Sequence, residues 1–322
     1  MASDASGPAG GWWMDGTDRG VITLGFGPEK YKRMATALAR SIRLHDPELP
    51  LAVVTDDLDH PDLQANFDKL IAMDPAYGTG VQQKLSLDRY SPFGHTVFID
   101  ADCLVVRSLE PVFGLLGVVP FGVVGFPVID GFYWAEVTEL MRRFEVPYIG
   151  RFNAGVISFH GPEGTAVFET ARRYVAEDKL AGLPMYRGAP HDEIPMSAAL
   201  GHLGLVPIYD DGRIMRAPEP LQSRISIDVA NGVGRFKTKN LWVEPAVMHF
   251  AYLFHGPGLR GSIYRREVAK LLGEPVPLGL RLRCAASQAI FTLESSTRVR
   301  TAWKRSRGSI RRTIKRALRR GP

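Results

Sequence analysis

Val21-Ile22-Thr23-Leu24-Gly25-Phe26-Gly27-Pro28 decides how the fold is read. Its first four residues are apolar or β-branched, which reads as a buried strand. Gly25 and Gly27 end that run. Residues 28–45 then carry Tyr31, Met34, Ala35, Leu38 and Ile42 at helical spacing, opened by Pro28 where a first-turn proline is tolerated. Leu51-Ala52-Val53-Val54-Thr55 is a second β-type run. Strand, helix and strand in this order predict a βαβ unit, hence an α/β fold with a largely parallel sheet. A third strand over Thr96–Ile99, a fourth over Ala154–Phe159, a helix over 165–177 and a buried run over Val243–Phe250 extend the pattern, with no internal repeat.

Composition is that of an ordinary globular chain: 322 residues, 45% hydrophobic and 23% charged. This excludes bulk disorder, collagen and coiled coil. Two cysteines, Cys103 and Cys284, are too few for a disulfide framework and point to a reducing compartment. The first twenty residues hold Asp4, Asp15 and Asp18 and show no secretory signal. Net charge is +6, but the part from Arg281 onward carries +12 and the rest −6. An acidic body with a basic tail for an anionic surface is the expectation. Pro111–Ile129 runs 19 residues without a charge, long enough for a membrane span. Its three prolines and four glycines make buried strands and turns the better reading. Composition shifts after Gly273 and Pro275-Val276-Pro277. This sets expected boundaries at a loose leader over 1–19, a catalytic domain over 20–275 and a basic extension over 276–322.

Gly25-Phe26-Gly27 lacks the third glycine of a dinucleotide fingerprint, since Lys30 stands there, so it reads as a strand-to-helix turn. Asp100-Ala101-Asp102 is more telling. It ends an apolar strand, in the region where open α/β sheets place their ligands. Carboxylates at i and i+2 of an extended segment share a face and repel each other unless a cation sits between them. Hard oxygen donors suit Mg²⁺ or Mn²⁺; a surface acidic turn is the alternative.

The neighbouring residues resemble glycosyltransferase family 8, which includes glycogenin and bacterial lipopolysaccharide galactosyl- and glucosyltransferases. Gln83-Lys84-Leu85-Ser86-Leu87-Asp88-Arg89-Tyr90 followed by Val97-Phe98-Ile99-Asp100-Ala101-Asp102-Cys103-Leu104-Val105 is similar to its lysine-to-DxD block. Phe152-Asn153-Ala154-Gly155-Val156 is similar to its FN(S/A)GV segment, His191-Asp192-Glu193 to its Asp-Gln pair, and Val247-Met248-His249-Phe250 to its metal-binding histidine segment. The resemblance covers roughly residues 20–260 in the family's order. It implies a Rossmann-like GT-A fold and transfer of a hexose from a nucleotide sugar, usually UDP-linked, to a hydroxyl of a glycan or glycolipid with retention. It places Asp100, Asp102 and His249 around a divalent ion, Mn²⁺ rather than Mg²⁺ because of the nitrogen donor. Thr23, Tyr31, Lys84, Ala101, Asn153, Gly155 and His255 then fall at the nucleotide sugar, and Asp192 and Glu193 at the chemistry.

Two departures stand out. Tyr252 and His255 replace the glycine and lysine of the family's HFxGxxKPW ending, which loosens the expected pyrophosphate clamp. Glu193 falls where the family usually has glutamine, and could stabilise positive charge, act as nucleophile, or serve as a first-turn acid of a helix. In the tail, residues 298–322 hold 11 Lys+Arg and no acid, with Trp303, Ile310, Ile314, Ala317 and Leu318 on one helical face. That suits the anionic inner face of a bacterial membrane, with a solvated tail or a nucleic-acid arm as alternatives. The expected protein is therefore a cytoplasmic, peripheral glycosyltransferase of lipopolysaccharide or surface-glycan synthesis. A nucleotide-sugar-binding or membrane-docking protein with weak catalysis is the alternative function.

Overall fold

The computed structural model describes residues 18–186, 189–218, 225–238, 241–251, 256 and 258–294. The leader up to residue 17, Tyr252, His255 and the tail from residue 295 lie outside the described residues. In chain order the elements begin with β1 (Arg19–Leu24), α1 (Glu29–Arg43), β2 (Leu51–Thr55), α2 (Pro61–Asn66), β3 (Lys69–Ala72), a 3-10 helix over Gly80–Ser86, α3 (Leu87–Tyr90), β4 (His95–Ile99) and β5 (Cys103–Val105). There follow α4 (Glu110–Leu116), β6 (Phe121–Val128), β7 (Phe132–Tyr133), β8 (Ala135–Glu136), α5 (Val137–Phe144), β9 (Ile149–His160), α6 (Gly161–Ala176), β10 (Met185–Tyr186), β11 (Ala189–Pro190) and α7 (Glu193–Leu203). The chain continues with β12 (Met215–Arg216), β13 (Ser226–Asp228), β14 (Val233–Thr238), β15 (Leu241–Val243), β16 (Val247–His249), α8 (Ser262–Leu271) and α9 (Leu278–Glu294).

These elements fall into two compact units. Among the described residues the first comprises 18–26, Leu49–Ile99 and Phe113–Tyr209. It holds a six-stranded sheet in the order β3-β2-β1-β4-β9-β6, in which the first four strands run parallel and β9 is antiparallel to both β4 and β6. β2 is buried at every position, as its unbroken apolar run requires. Phe98, Phe121 and Phe168 are fully buried; the Phe168 ring meets Phe121 and Phe159 edge-on at 5.3 and 4.9 Å. Each such side chain contributes about 1.5–3 kcal/mol of burial. Gly125 marks a bulge in β6, where a Cβ would stand 2.0 Å from the Arg151 carbonyl oxygen.

The second unit comprises Gly27–Glu48, Asp100–Val112 and, among the described residues from Asp210 on, those up to Glu294. Here β12, β16 and β5 form one small sheet and β13, β14 and β15 another. α1 packs on β5 and α8, and α8 on α9. Pro28 caps α1 with extended backbone rather than entering it, and the preceding Gly27 turns at φ +79°. Ser41 Oγ ties α1 to β5 by accepting the Val105 N–H at 3.0 Å. Arg33 forks onto the Glu274 carboxylate. The buried Asp210 carboxylate gathers the backbone N–H groups of Gly212, Arg213, Ile214 and Met215 at 2.8–3.2 Å and so shapes the turn into β12.

Two expectations change in detail. Residues 111–129 are not strands and turns throughout, because Pro111 sits in the first turn of α4, where its missing N–H is harmless. The run from Val243 to Phe250 is interrupted, since Pro245 cannot donate to a ladder and separates β15 from β16. The segment after Pro277 is a helix of 17 residues, α9, that buries Cys284 and Ser287, with Gln288 accepting the Ile225 N–H at 3.1 Å. Among the described residues no helix is long and apolar enough to cross a membrane.

Candidate active site

The sequence-predicted residues form two clusters, one in each unit. In the second unit, the turn from Asp100 closes through the Cys103 N–H, which donates to the Asp100 carbonyl at 2.9 Å. β5 then pairs antiparallel with β16, with Cys103 directly opposite His249, and the Phe250 N–H donates to the Asp102 carbonyl at 3.0 Å. This register brings His249 Nε2 to 3.2 Å from Asp102 Oδ1 and 3.8 Å from Asp100 Oδ2. The imidazole is buried, whereas the Asp100 and Asp102 side chains keep 21% and 19% of their surface, so the group opens outward through its carboxylates. One donor atom each from Asp102, Cys103 and His249 lie within 4.8 Å of one another. Tyr264 is buried behind the turn, its hydroxyl 3.5 Å from the carbonyl of Ala101. Burial and the negative charge of Asp102 push its phenol well above the usual range, so it stays a neutral donor. Tyr31, on α1, is half-buried with Lys30 Nζ 4.7 Å over its ring.

In the first unit Thr23 is fully buried. β1 and β4 pair through Ile22 and Phe98; one residue on, the Thr23 hydroxyl donates to the Ile99 carbonyl at 2.7 Å. Lys84 lies on the 3-10 helix and is buried, its ammonium 3.4 Å from Asp192 Oδ2 and 5.4 Å from the centre of the Phe98 ring. A second fork supports that helix: Arg172 donates to both oxygens of Asp88 at 2.6 and 2.9 Å and to the Leu85 carbonyl at 2.6 Å. Asn153 Oδ1 accepts the Gly155 N–H at 3.0 Å, fixing the backbone of β9 at that point.

Asp192 and Glu193 open α7, yet their surroundings differ. Glu193 Oε1 accepts the Ala154 N–H at 3.0 Å, and Oε2 accepts Trp134 Nε1–H at 2.6 Å, with Tyr133 Oη at 2.9 Å. Asp192 Oδ2 has no hydrogen-bond partner among the described residues beyond its charge contact with Lys84. His191 Nδ1 lies 3.3 Å from Asp192 Oδ1 and accepts the Glu193 N–H at 3.3 Å, and its ring meets that of Trp134 at a tilt of 38° with centroids 4.0 Å apart. Trp134 adopts φ +58°, a backbone conformation that side-chain-bearing residues rarely take, and its indole touches both Glu193, through its N–H, and the His191 ring. Burial alone would raise both acids. The Lys84 ammonium and His191 nevertheless hold Asp192 below the usual carboxylate range, while burial and the charge of Asp192 push Glu193 up.

Sequence reasoning passed over Cys103, Tyr133 and Trp134. Cys103 follows the Asp-Ala-Asp triplet directly, but only the strand register puts it beside His249. Tyr133 and Trp134 contact a carboxylate some sixty positions away, which no local pattern announces.

No protein-family model matches the chain, and no curated protein matches its sequence. Solved structures do resemble it. WbbM, a bifunctional glycosyltransferase in its apo form, shares 14% identity and a TM-score of 0.50 over 83% of this chain and 51% of its own. The chain thus spans about half the length of WbbM. LgtC, a galactosyltransferase crystallised with donor and acceptor sugar analogues, shares 16% identity over 82% of this chain and 99% of its own, at a TM-score of 0.49. Mouse xyloside xylosyltransferase 1 shares 15% identity over 62% and 88%, at a TM-score of 0.41. At such identities the likeness is one of fold: a mixed α/β architecture with a parallel-rich central sheet, as in GT-A glycosyltransferases.

Proposed function

We propose that the chain is a family 8-like glycosyltransferase, moving a hexose from a nucleotide sugar, UDP-linked, to a hydroxyl of a glycan or glycolipid with retention. The observation that carries the reading is the convergence of His249 Nε2 on Asp102 and Asp100 at 3.2 and 3.8 Å in a protein with a GT-A architecture. Two carboxylates open to solvent and one buried imidazole are a donor set that fits Mn²⁺ or Mg²⁺ and leaves positions for phosphate oxygens. A cation held there would neutralise charge on the departing diphosphate.

The remaining roles belong to the protein's own groups. Asp192 stays ionised beside Lys84 and offers Oδ2, which could accept a sugar hydroxyl or face positive charge at the anomeric carbon. Glu193, with both oxygens occupied by donors, holds β9 and the Tyr133–Trp134 turn in place. The Thr23 hydroxyl fixes the last carbonyl of β4, after which the chain turns at Asp100. Lys84, Ala101, Asn153, Gly155, Tyr31 and His255 are assigned to the nucleotide sugar. The acceptor hydroxyl would attack from the face the diphosphate leaves, giving retention without a sugar bound to the enzyme. The basic segment over 281–322 would hold the protein on the inner face of a bacterial membrane, where lipopolysaccharide or surface glycan is built. Nucleic acid is not proposed as a partner.

The test is transfer from a panel of nucleotide sugars with Mn²⁺, with and without EDTA. Cation-dependent release of UDP together with acceptor glycosylation supports the reading. Full turnover in EDTA removes the cation, and binding of donor without turnover would leave a nucleotide-sugar-binding protein.

A further inference from the structure

We propose that Cys103 is a sulfur donor at the Asp100–Asp102–His249 group, so that this site takes a thiophilic divalent cation of the Zn²⁺, Cd²⁺ or Co²⁺ kind more tightly than Mn²⁺ or Mg²⁺. The proposal rests on the cation reading of that group and adds a selectivity. Cys103 and His249 are directly opposed across the β5–β16 pair, so their side chains stand on one face of that small sheet. Sγ, an imidazole nitrogen and an Asp102 oxygen all lie within 4.8 Å of one another, a spacing that small movements can close onto one ion. The thiol is fully buried and the imidazole nearly so, while the carboxylates reach solvent. The group therefore presents a soft side, from sulfur and nitrogen, and a hard side, from oxygen. Thiolate favours zinc-like ions, and carboxylate with water favours magnesium and manganese. A hard cation would use Asp100, Asp102 and His249; a soft one would add the thiolate, whose proton passes to solvent as the metal–sulfur bond forms. Soft cations would then compete with the hard one at the same residues.

The chain itself supplies the control, because Cys284, the second cysteine, spends its thiol on the Ser262 carbonyl at 3.2 Å. The experiment is a Co²⁺ titration of the reduced full chain, read as near-ultraviolet sulfur-to-cobalt charge-transfer absorption, with calorimetry of Zn²⁺ and Mn²⁺ in parallel. The band is expected in the wild type and in Cys284→Ser, where any thiolate ligand must be Cys103, and is expected to vanish in Cys103→Ser and Cys103→Ala. Zn²⁺ affinity should fall in those variants by at least the roughly 10–100-fold that loss of even an outer-shell partner costs a metal site. Mn²⁺ affinity should hold. Because Cys284→Ser alone can show or lack the band, the test survives if Cys103 variants fail to fold. Binding of Co²⁺ to Cys284→Ser without the band overturns the role of Cys103 and leaves the cation site standing. If no cation binds, or if binding is unchanged in Asp102→Asn, the cation reading fails and the sulfur proposal with it.

Discussion

Asp100 and Asp102 are separated by one residue, Asp192 and Glu193 by none, and the two acid pairs are handled in opposite ways. The first pair keeps about a fifth of its side-chain surface in water and meets the edge of one imidazole. The second is buried and surrounded from within: the Lys84 ammonium and the His191 ring lie beside one acid, and the Ala154 N–H, Tyr133 and Trp134 reach the other. An open pair of carboxylates keeps its repulsion and invites an external positive charge. A closed pair has to be balanced from within, because an uncompensated buried charge costs several kcal/mol. Function and stability should therefore separate in the open pair and travel together in the closed one.

The largest expected effect tests that separation. Asp102→Asn should lower cation-dependent transfer by about 10²–10³-fold, as loss of an electrostatic donor at a reacting centre does, while the melting temperature stays level or rises because a repulsion is relieved. A large loss of stability in this variant would erase the contrast. Asp192→Asn should cost both properties. Turnover should fall by roughly 10²–10⁴-fold, and denaturant unfolding should show a loss of about 3–5 kcal/mol, because Lys84 stays buried without its carboxylate charge. Glu193→Gln is smaller. Its amide nitrogen would face either the Ala154 N–H or the Trp134 indole N–H, both donors, for a loss of about 1–3 kcal/mol measured the same way. Unchanged stability would mean that the carboxylate network is not what holds this turn.

The smallest effect is in the pH dependence of stability. The Asp192 carboxyl is lowered by folding, so its contribution is present above the unfolded value of 3.8 and lost as pH falls through the depressed folded value. Glu193 is raised, so its contribution is present below the unfolded value of 4.5 and lost as pH climbs through the raised one. Two adjacent acids thus impose slopes of opposite sign. Unfolding midpoints across the acid range should lose the fall above 4.5 in Glu193→Gln and the fall at lower pH in Asp192→Asn; a swap of these assignments would reverse the roles of the pair.

Much of this was visible in the chain. β1, α1, β2 and β4 each carry a local signature, an unbroken apolar run or a helical period, and all four occur where that signature placed them. β9 was read only from Ala154 because Arg151 and Asn153 break the apolar run before it, although the strand begins at Ile149. β6 was obscured by Gly125 and Pro127. Gly125 sits at the bulge, where the Arg151 carbonyl leaves no room for a side chain and its N–H bonds to the Ile208 carbonyl at 2.9 Å, and Pro127 lies further along the same outermost strand of the sheet. Among candidate residues, chemistry alone singled out Asp100 and Asp102 but left a surface acidic turn open, and His249 came in only with the resemblance; the segment is a turn rather than extended, closed by the Cys103 N–H on the Asp100 carbonyl. Lys84 was placed by the resemblance alone, and only tertiary packing buries it against Asp192. The neighbours that separate Asp192 from Glu193 depend on which backbone comes beside α7, and that is written in no spacing.

The Asp210 turn has a consequence for how the second unit folds. Its carboxylate reaches no further than Met215, so the turn closes a loop of only a few residues. The pairing it prepares is distant, since Met215 must find Val247 and Met248 lies beside Arg216. Closing a short loop removes far less chain entropy than bringing such strands together, and it can be complete before they meet. Asp210 therefore bears on the rate of assembly: the strand that must search for β16 arrives with its direction already set.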